Sequence, residues 1–90
     1  MTISARTEAG IPMIRNVSFD DARITVEFQD GRAVALPLAW YPRLLDATPA
    51  QRDASAFIGD GEGLHWEEID EDLSAEGLLR GAPAPNWKAA

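Results

Sequence analysis

The residues able to do chemistry crowd into one stretch, from Gly59 to Ser74. His65 is the sole histidine, and Trp66, Glu67 and Glu68 follow it. An imidazole beside two carboxylates is the raw material of an acid–base pair. A hydrolase would also need a nucleophile, and neither Ser55, Ser74 nor any threonine sits in an elbow-type motif. Glu67 and Asp70 supply the carboxylates of a glycosidase, but no run of sugar-stacking aromatics accompanies them. The alternating acids Glu68, Asp70 and Asp72 suit a hard cation, yet a calcium loop wants Gly where Leu73 stands and Glu where Leu79 stands. Gly59, Gly61 and Gly63 have the glycine density of a phosphate loop. They lack both the Gly-Lys-Ser/Thr ending and the Gly-x-x-Gly spacing, and Asp60 and Glu62 would repel a phosphate. The glycines therefore read as a turn, and no catalytic residue, metal ligand or cofactor is expected.

What these residues do share is negative charge. The chain has 90 residues, with Lys+Arg 8 against Asp+Glu 15 and a formal net charge of −7. Residues 1–45 are balanced, so the second half holds the whole excess. Between Asp60 and Glu76 there are eight acids and no base. Such a surface repels nucleic-acid backbones and attracts basic partners. The arginines Arg15, Arg23, Arg32 and Arg43 are interleaved with acids and read as a solvated face rather than a nucleic-acid stripe. With Cys 0, disulfides and thiol chemistry are absent, which points to a reducing, cytoplasmic setting. The first segment has no apolar core of a secretory signal, and no run is long enough to span a membrane. A chain of this size buries only roughly 60–65% of its unfolded surface, too thin a core for a deep enclosed site.

The elements that must position the acidic stretch form an α+β fold: an antiparallel three-stranded β-meander packed by short helices, with a short C-terminal helix. Residues 1–12 read as a flexible arm, 13–81 as a single domain and 82–90 as a Pro-rich tail. Ile14 to Phe19 has strand character, and Ile24, Val26 and Phe28 alternate with polar residues as in a half-buried strand. Asp30-Gly31 predicts a hairpin turn of type I′. Val34, Leu36 and Leu38 follow on one face, and Pro37 marks an edge or an end. Pro42 starts a short helix whose Leu44 and Leu45 should pack on the sheet. Thr48-Pro49 caps a second helix. Ala56 to Ile58 and Leu64 to Trp66 read as short extended pieces. Ser74 caps the last helix and Gly81 closes it, with the preceding acids gathered at its positive N-terminal end.

Three pieces carry a family resemblance: the Asp30-Gly31-Arg32 turn, the segment Leu44-Leu45-Asp46-Ala47-Thr48, and the block from Gly63-Leu64-His65-Trp66 through Asp70-Glu71-Asp72-Leu73-Ser74 to Gly81. Over residues 14–81 the chain resembles the small bacterial domain-of-unknown-function family 2442. Leu73 stands where that family usually has Ile. The resemblance implies a compact α+β domain and no known catalytic residue. Some members carry a helix-turn-helix domain, which implies a transcription-linked role. Others are encoded beside another small family, 4160, in a pattern like that of toxin–antitoxin pairs. Gly31, His65, Trp66, Ser74 and Gly81 match the motif as structural positions, and a Trp packed beneath a turn held by Asp side chains would account for it.

The expected function is a non-catalytic protein-binding module, an antitoxin-like or adaptor partner of a small basic protein. The expected contact surface is Asp60, Glu62, Glu67, Glu68, Asp70, Glu71 and Asp72. Alternatives are an acidic nucleic-acid mimic that inhibits a nuclease or CRISPR-type complex, and a transcription-linked regulator. Direct nucleic-acid or membrane binding is not expected, whereas a homodimer through an edge strand is compatible with the pattern.

Overall fold

The computed structural model describes residues 10–87. The expected meander is there: β1 (Ile14–Phe19), β2 (Arg23–Phe28) and β3 (Ala33–Pro37) form an antiparallel sheet in that order. Val26 lies between Val17 and Val34, and Ile24 between Phe19 and Leu36, so apolar residues align across all three strands. β3 is an edge strand and ends at Pro37, the residue without an N–H to donate. The β2–β3 turn differs in type from the expected one. Phe28 N–H donates to Arg32 O at 2.8 Å and Gly31 N–H to Phe28 O at 3.0 Å, so three residues, not two, form the loop. Of these only Gly31 has a positive φ, +95°, whereas type I′ demands it twice.

A 3₁₀ turn (Leu38–Trp40) leads into two one-turn helices, α1 (Pro42–Leu45) and α2 (Pro49–Arg52). Thr48 caps α2 in a full capping box with Gln51. Leu44 is fully buried, but Leu45, expected to join it, is 43% exposed. With a single helical turn, consecutive residues point about 100° apart, and only one can face the sheet.

The second half holds a second sheet, in which the short extended pieces expected at 56–58 and 64–66 pair with each other and with a third strand. β4 (Ser55–Ile58), β5 (Gly63–Trp66) and β6 (Glu71–Ser74) form another antiparallel meander, followed directly by α3 (Ala75–Arg80). Residues 71–74 are strand, so the acids lie in and before β6 instead of lining the start of α3. Only Glu76 occupies the first turn of that helix. Its caps are as expected: Gly77 N–H donates to Ser74 Oγ at 2.9 Å, and Gly81 closes the helix at φ +73°.

The core forms between the inner faces of the two sheets. Ile24, Val26 and Phe28 share one cluster with Leu64, Trp66, Leu73 and Leu78. The Phe19 ring meets Trp66 edge-on, with centroids 6.3 Å apart. Residues 82–87 also join this body. Ala84 is buried, its N–H donates to Trp40 O at 3.1 Å, and Trp87 lies against Trp40 with ring centroids 5.7 Å apart. Of the expected N-terminal arm, residues 1–9 lie outside the described residues, while Pro12 is buried and Ile11 packs against the core.

Candidate functional site

The second sheet decides where each chemistry-bearing side chain points, because successive residues on a strand face opposite sides. On β5, Leu64 and Trp66 face inward and His65 outward; on β6, Glu71 and Leu73 face inward and Asp72 and Ser74 outward. The register pairs His65 with Asp72 and Trp66 with Glu71. Seven residues apart in the chain, His65 and Asp72 thus become direct cross-strand neighbours.

Both ring nitrogens of His65 meet carboxylates. Nδ1 is paired with Asp72 Oδ1, and Nε2 lies 2.8 Å from Glu67 Oε1. A neutral imidazole has one N–H, so two acceptors favour the doubly protonated cation. Hydrogen bonding to Glu67 and then Asp72 accordingly holds the imidazole above its usual pKa of 6.5. This arrangement stabilises a cation and leaves neither ring nitrogen free to abstract a proton in the folded state.

Trp66 is buried and its Nε1–H donates to Arg52 O at 2.9 Å, so the indole is packed and satisfied. At the β5–β6 turn above it, the Asp72 side chain pairs with His65 across the hairpin. The turn's distinguishing feature is the Asp70 backbone at φ +55°, an αL conformation that Asp tolerates better than most residues. Asp70 O accepts from Arg43 Nη1 at 2.6 Å, which ties the turn to α1.

Glu71 corrects the expected contact surface. Its side chain is only 9% exposed, so it offers no face to a macromolecule. Its Oε1 lies 3.7 Å from Arg43 Nη1. Burial pushes the Glu71 carboxyl above its ordinary pKa, and Arg43 offsets part of that rise. The physical reason is the pleat: once residues 71–74 are a strand carrying Leu73 inward, Glu71 must point inward too.

The remaining acids are exposed but divided. Asp60 and Glu62 lie in the β4–β5 turn, at the opposite end of β5 from Glu67, Glu68 and Asp70 in the β5–β6 turn. Gly61 in the β4–β5 turn and Gly63 at the start of β5 serve close approach. A Cβ on Gly61 would lie 2.5 Å from Ile14 O, and one on Gly63 would lie 2.8 Å from Leu73 O. Among the described residues, no three His, Asp or Glu side chains are placed to hold a metal ion, and no helix is long and apolar enough to cross a membrane. Of the arginines interleaved with acids, Arg15 stands 4.0 Å from Glu27 and Arg32 2.7 Å from Asp30.

A two-layer α+β domain with this motif block is the class the geometry defines. Residues 14–84 match the family described as Protein of unknown function (DUF2442), and the chain belongs to that family. No curated protein matches it. The fold is similar to the crystal structure of a protein of unknown function from Rhodospirillum rubrum, at 34% identity and a TM-score of 0.71, covering 87% of this chain and 98% of that one. It is also similar in fold to the solution structure of an uncharacterized protein from Chromobacterium violaceum, at 24% identity and a TM-score of 0.67, covering 82% of this chain and 70% of that one.

Proposed function

We propose that the chain is a non-catalytic binding module for a basic protein partner, of the antitoxin or adaptor kind. One observation carries this reading. The β5–β6 turn exposes the carboxylates of Glu68 and Asp70 with no cation against either among the described residues, while Glu67 and Asp72 share only His65. Arg43, whose guanidinium reaches this turn, is directed to the Asp70 carbonyl and to Glu71 instead. Uncompensated carboxylates at one end of a packed sheet cost little in water and gain most when a cationic surface covers them. His65 supports the non-catalytic half of the reading, because both its ring nitrogens are already engaged. A cytoplasmic setting is part of the proposal, as is the revised contact set: Glu67, Glu68, Asp70 and Asp72, without Glu71.

The test is co-purification of a tagged chain from the organism that encodes it, over a salt series, with and without added DNA. A basic protein should be retained at low salt and released as salt rises. Reversing Glu67, Glu68 and Asp72 to Lys should abolish retention while the circular dichroism spectrum is unchanged. Retention by the reversed variant would overturn the β5–β6 turn as the contact surface, and failure to retain any basic protein would overturn the reading. Displacement of the partner by DNA would favour the nucleic-acid-mimic alternative.

A further inference from the structure

The two sheets are open along one side. β1 is an outer strand of the first sheet and β4 an outer strand of the second. Between them runs a furrow of about 240 Å³, bounded by Asn16 and Val17 on β1 and by Asp53, Ser55 and Phe57 at and along β4. A second hollow of about 220 Å³ starts from the same Asp53 and extends to Phe19, Asp20 and Asp21. Phe57 is the telling residue. It pairs across the ladder with Leu64, which is buried, yet Phe57 itself is 52% exposed. The apolar inner face of the sheet thus continues past the core and ends uncovered at the furrow.

The furrow and the hollow that adjoins it are also anionic. Asp53 borders both, and Asp20 and Asp21 line the hollow. Asp20 Oδ1 accepts the backbone N–H groups of Ala22 at 2.7 Å and Arg23 at 2.8 Å, bonds that favour its charged form. The one cation in the lining, Arg52, is committed elsewhere: its Nε and Nη2 donate to Leu44 O at 2.8 Å and Leu45 O at 2.9 Å. Arg23 stands beside Asp20 and offsets one of the three charges. A second copy of this chain, itself at −7, would bring further negative charge to these carboxylates.

We propose that this furrow seats an extended segment of a partner protein in which lysine or arginine alternates with apolar residues. The apolar side chains would cover Phe57 and Val17, the basic ones would meet Asp20, Asp21 and Asp53, and the segment's backbone would pair with the free edge of β4. The inference rests on the reading of a basic partner, but it places the contact away from the β5–β6 turn.

The probe is a set of nine-residue peptides that alternate Lys with Val, Leu, Ile, Phe or Tyr, titrated into the ¹⁵N-labelled chain. Controls replace every Lys by Glu, or place Pro at the centre to block strand pairing. At least one Lys peptide should shift the amides of Val17, Asp53, Ser55 and Phe57 in a saturable way, and both controls should not. Phe57→Ala and Asp53→Lys change exposed residues, and each should weaken binding at least tenfold. Reversal of Glu67 and Glu68 should leave it within twofold. The proposal is overturned if no Lys peptide binds, if the shifts map to residues 67–72, if Phe57→Ala binds like the unaltered chain, or if self-association fills the furrow instead. A natural basic partner that survives Phe57→Ala but is lost on reversal of Glu67 and Glu68 would remove the furrow and leave the basic-partner reading standing.

Discussion

Ile14 N–H donates to Gly61 O at 2.7 Å, and through that bond the first strand of one sheet is fastened to the first turn of the other. The approach is possible because Gly61 has no side chain. A Cβ there would lie 2.5 Å from Ile14 O and 3.0 Å from Ile14 N, at a backbone φ of +115° that other residues rarely adopt.

Gly61→Ala should therefore be among the most damaging small substitutions in the chain. Both contacted atoms are backbone, so the clash is relieved only by moving β1 away from the β4–β5 turn. We expect a loss of about 2–4 kcal/mol, from strain plus the broken bond. Gly31→Ala makes the comparison informative. Gly31 also has a positive φ, +95°, but a Cβ there meets nothing within 4 Å. Its cost should be about 1 kcal/mol, from the backbone alone. Urea unfolding of both variants gives the difference, and equal losses would show that the contact with Ile14 is not what requires Gly61.

The first sheet was legible because its physics is local. Ile24, Val26 and Phe28 alternate with polar neighbours, Asp30-Gly31 marks the reversal, and Thr48, Ser74 and Gly81 each cap through residues four or fewer positions away. The second sheet hides these signals. β4 is an outer strand with Ala56, Phe57 and Ile58 all exposed, so no buried alternation shows in its residues. β6 places a carboxylate, Glu71, where an apolar residue would have announced the inner face. With β6 read as the approach to a helix, the burial of Glu71 and the His65–Asp72 pairing were both out of reach, since each follows from cross-strand register. The acidic run itself was plain in composition, but its division between two turns was not.

The segment after α3 should be held mainly by Tyr41. This buried phenol donates to Ala82 O at 3.1 Å. Burial, helped by the nearby Glu71 charge, pushes its pKa up to about 12. As the only tyrosine, it can be followed by absorbance, and it should ionise well above the usual value of 10.0. Tyr41→Phe should cost about 0.5–1.5 kcal/mol. It should also raise amide exchange at Ala84 and Trp87 more than in β2. Uniform exchange across the chain would mean the phenol does not anchor this segment.

Arg43 and Glu71 should show opposite signs when changed singly. Arg43→Ala leaves a buried carboxylate without its partner, and because Arg43 is itself half-exposed the cost should be near the low end for buried pairs, about 1–2 kcal/mol. Glu71→Gln removes the charge that burial disfavours and should be neutral or stabilising at pH 7. The double variant should recover most of the loss seen in Arg43→Ala. The pH dependence follows from the raised pKa. Between the unfolded value near 4.5 and the higher folded value, the native state binds more protons, so the Glu71 contribution makes stability fall as pH rises through that window. Glu71→Gln should remove that fall, and an unchanged profile would show that Glu71 is not its source.

His65 should add a second, higher window of the same sign. Its folded pKa is raised above 6.5 by Glu67 and Asp72, so its stabilising contribution is fully present below 6.5 and is lost as pH rises through the folded value. Being the sole histidine, it can be titrated by NMR without assignment ambiguity. The folded pKa should lie above 6.5, should drop in Asp72→Asn and in Glu67→Gln, and should drop furthest when both are changed. His65→Gln should remove the fall in stability that begins as pH rises past 6.5, while leaving the Glu71 window at lower pH in place. Salt should weaken the effect, because both carboxylates involved are exposed. A titration at or below 6.5 in the folded protein would mean the two carboxylates do not hold the imidazolium in solution, and the turn would then carry Glu67 and Asp72 as two more uncompensated charges for a basic partner to meet.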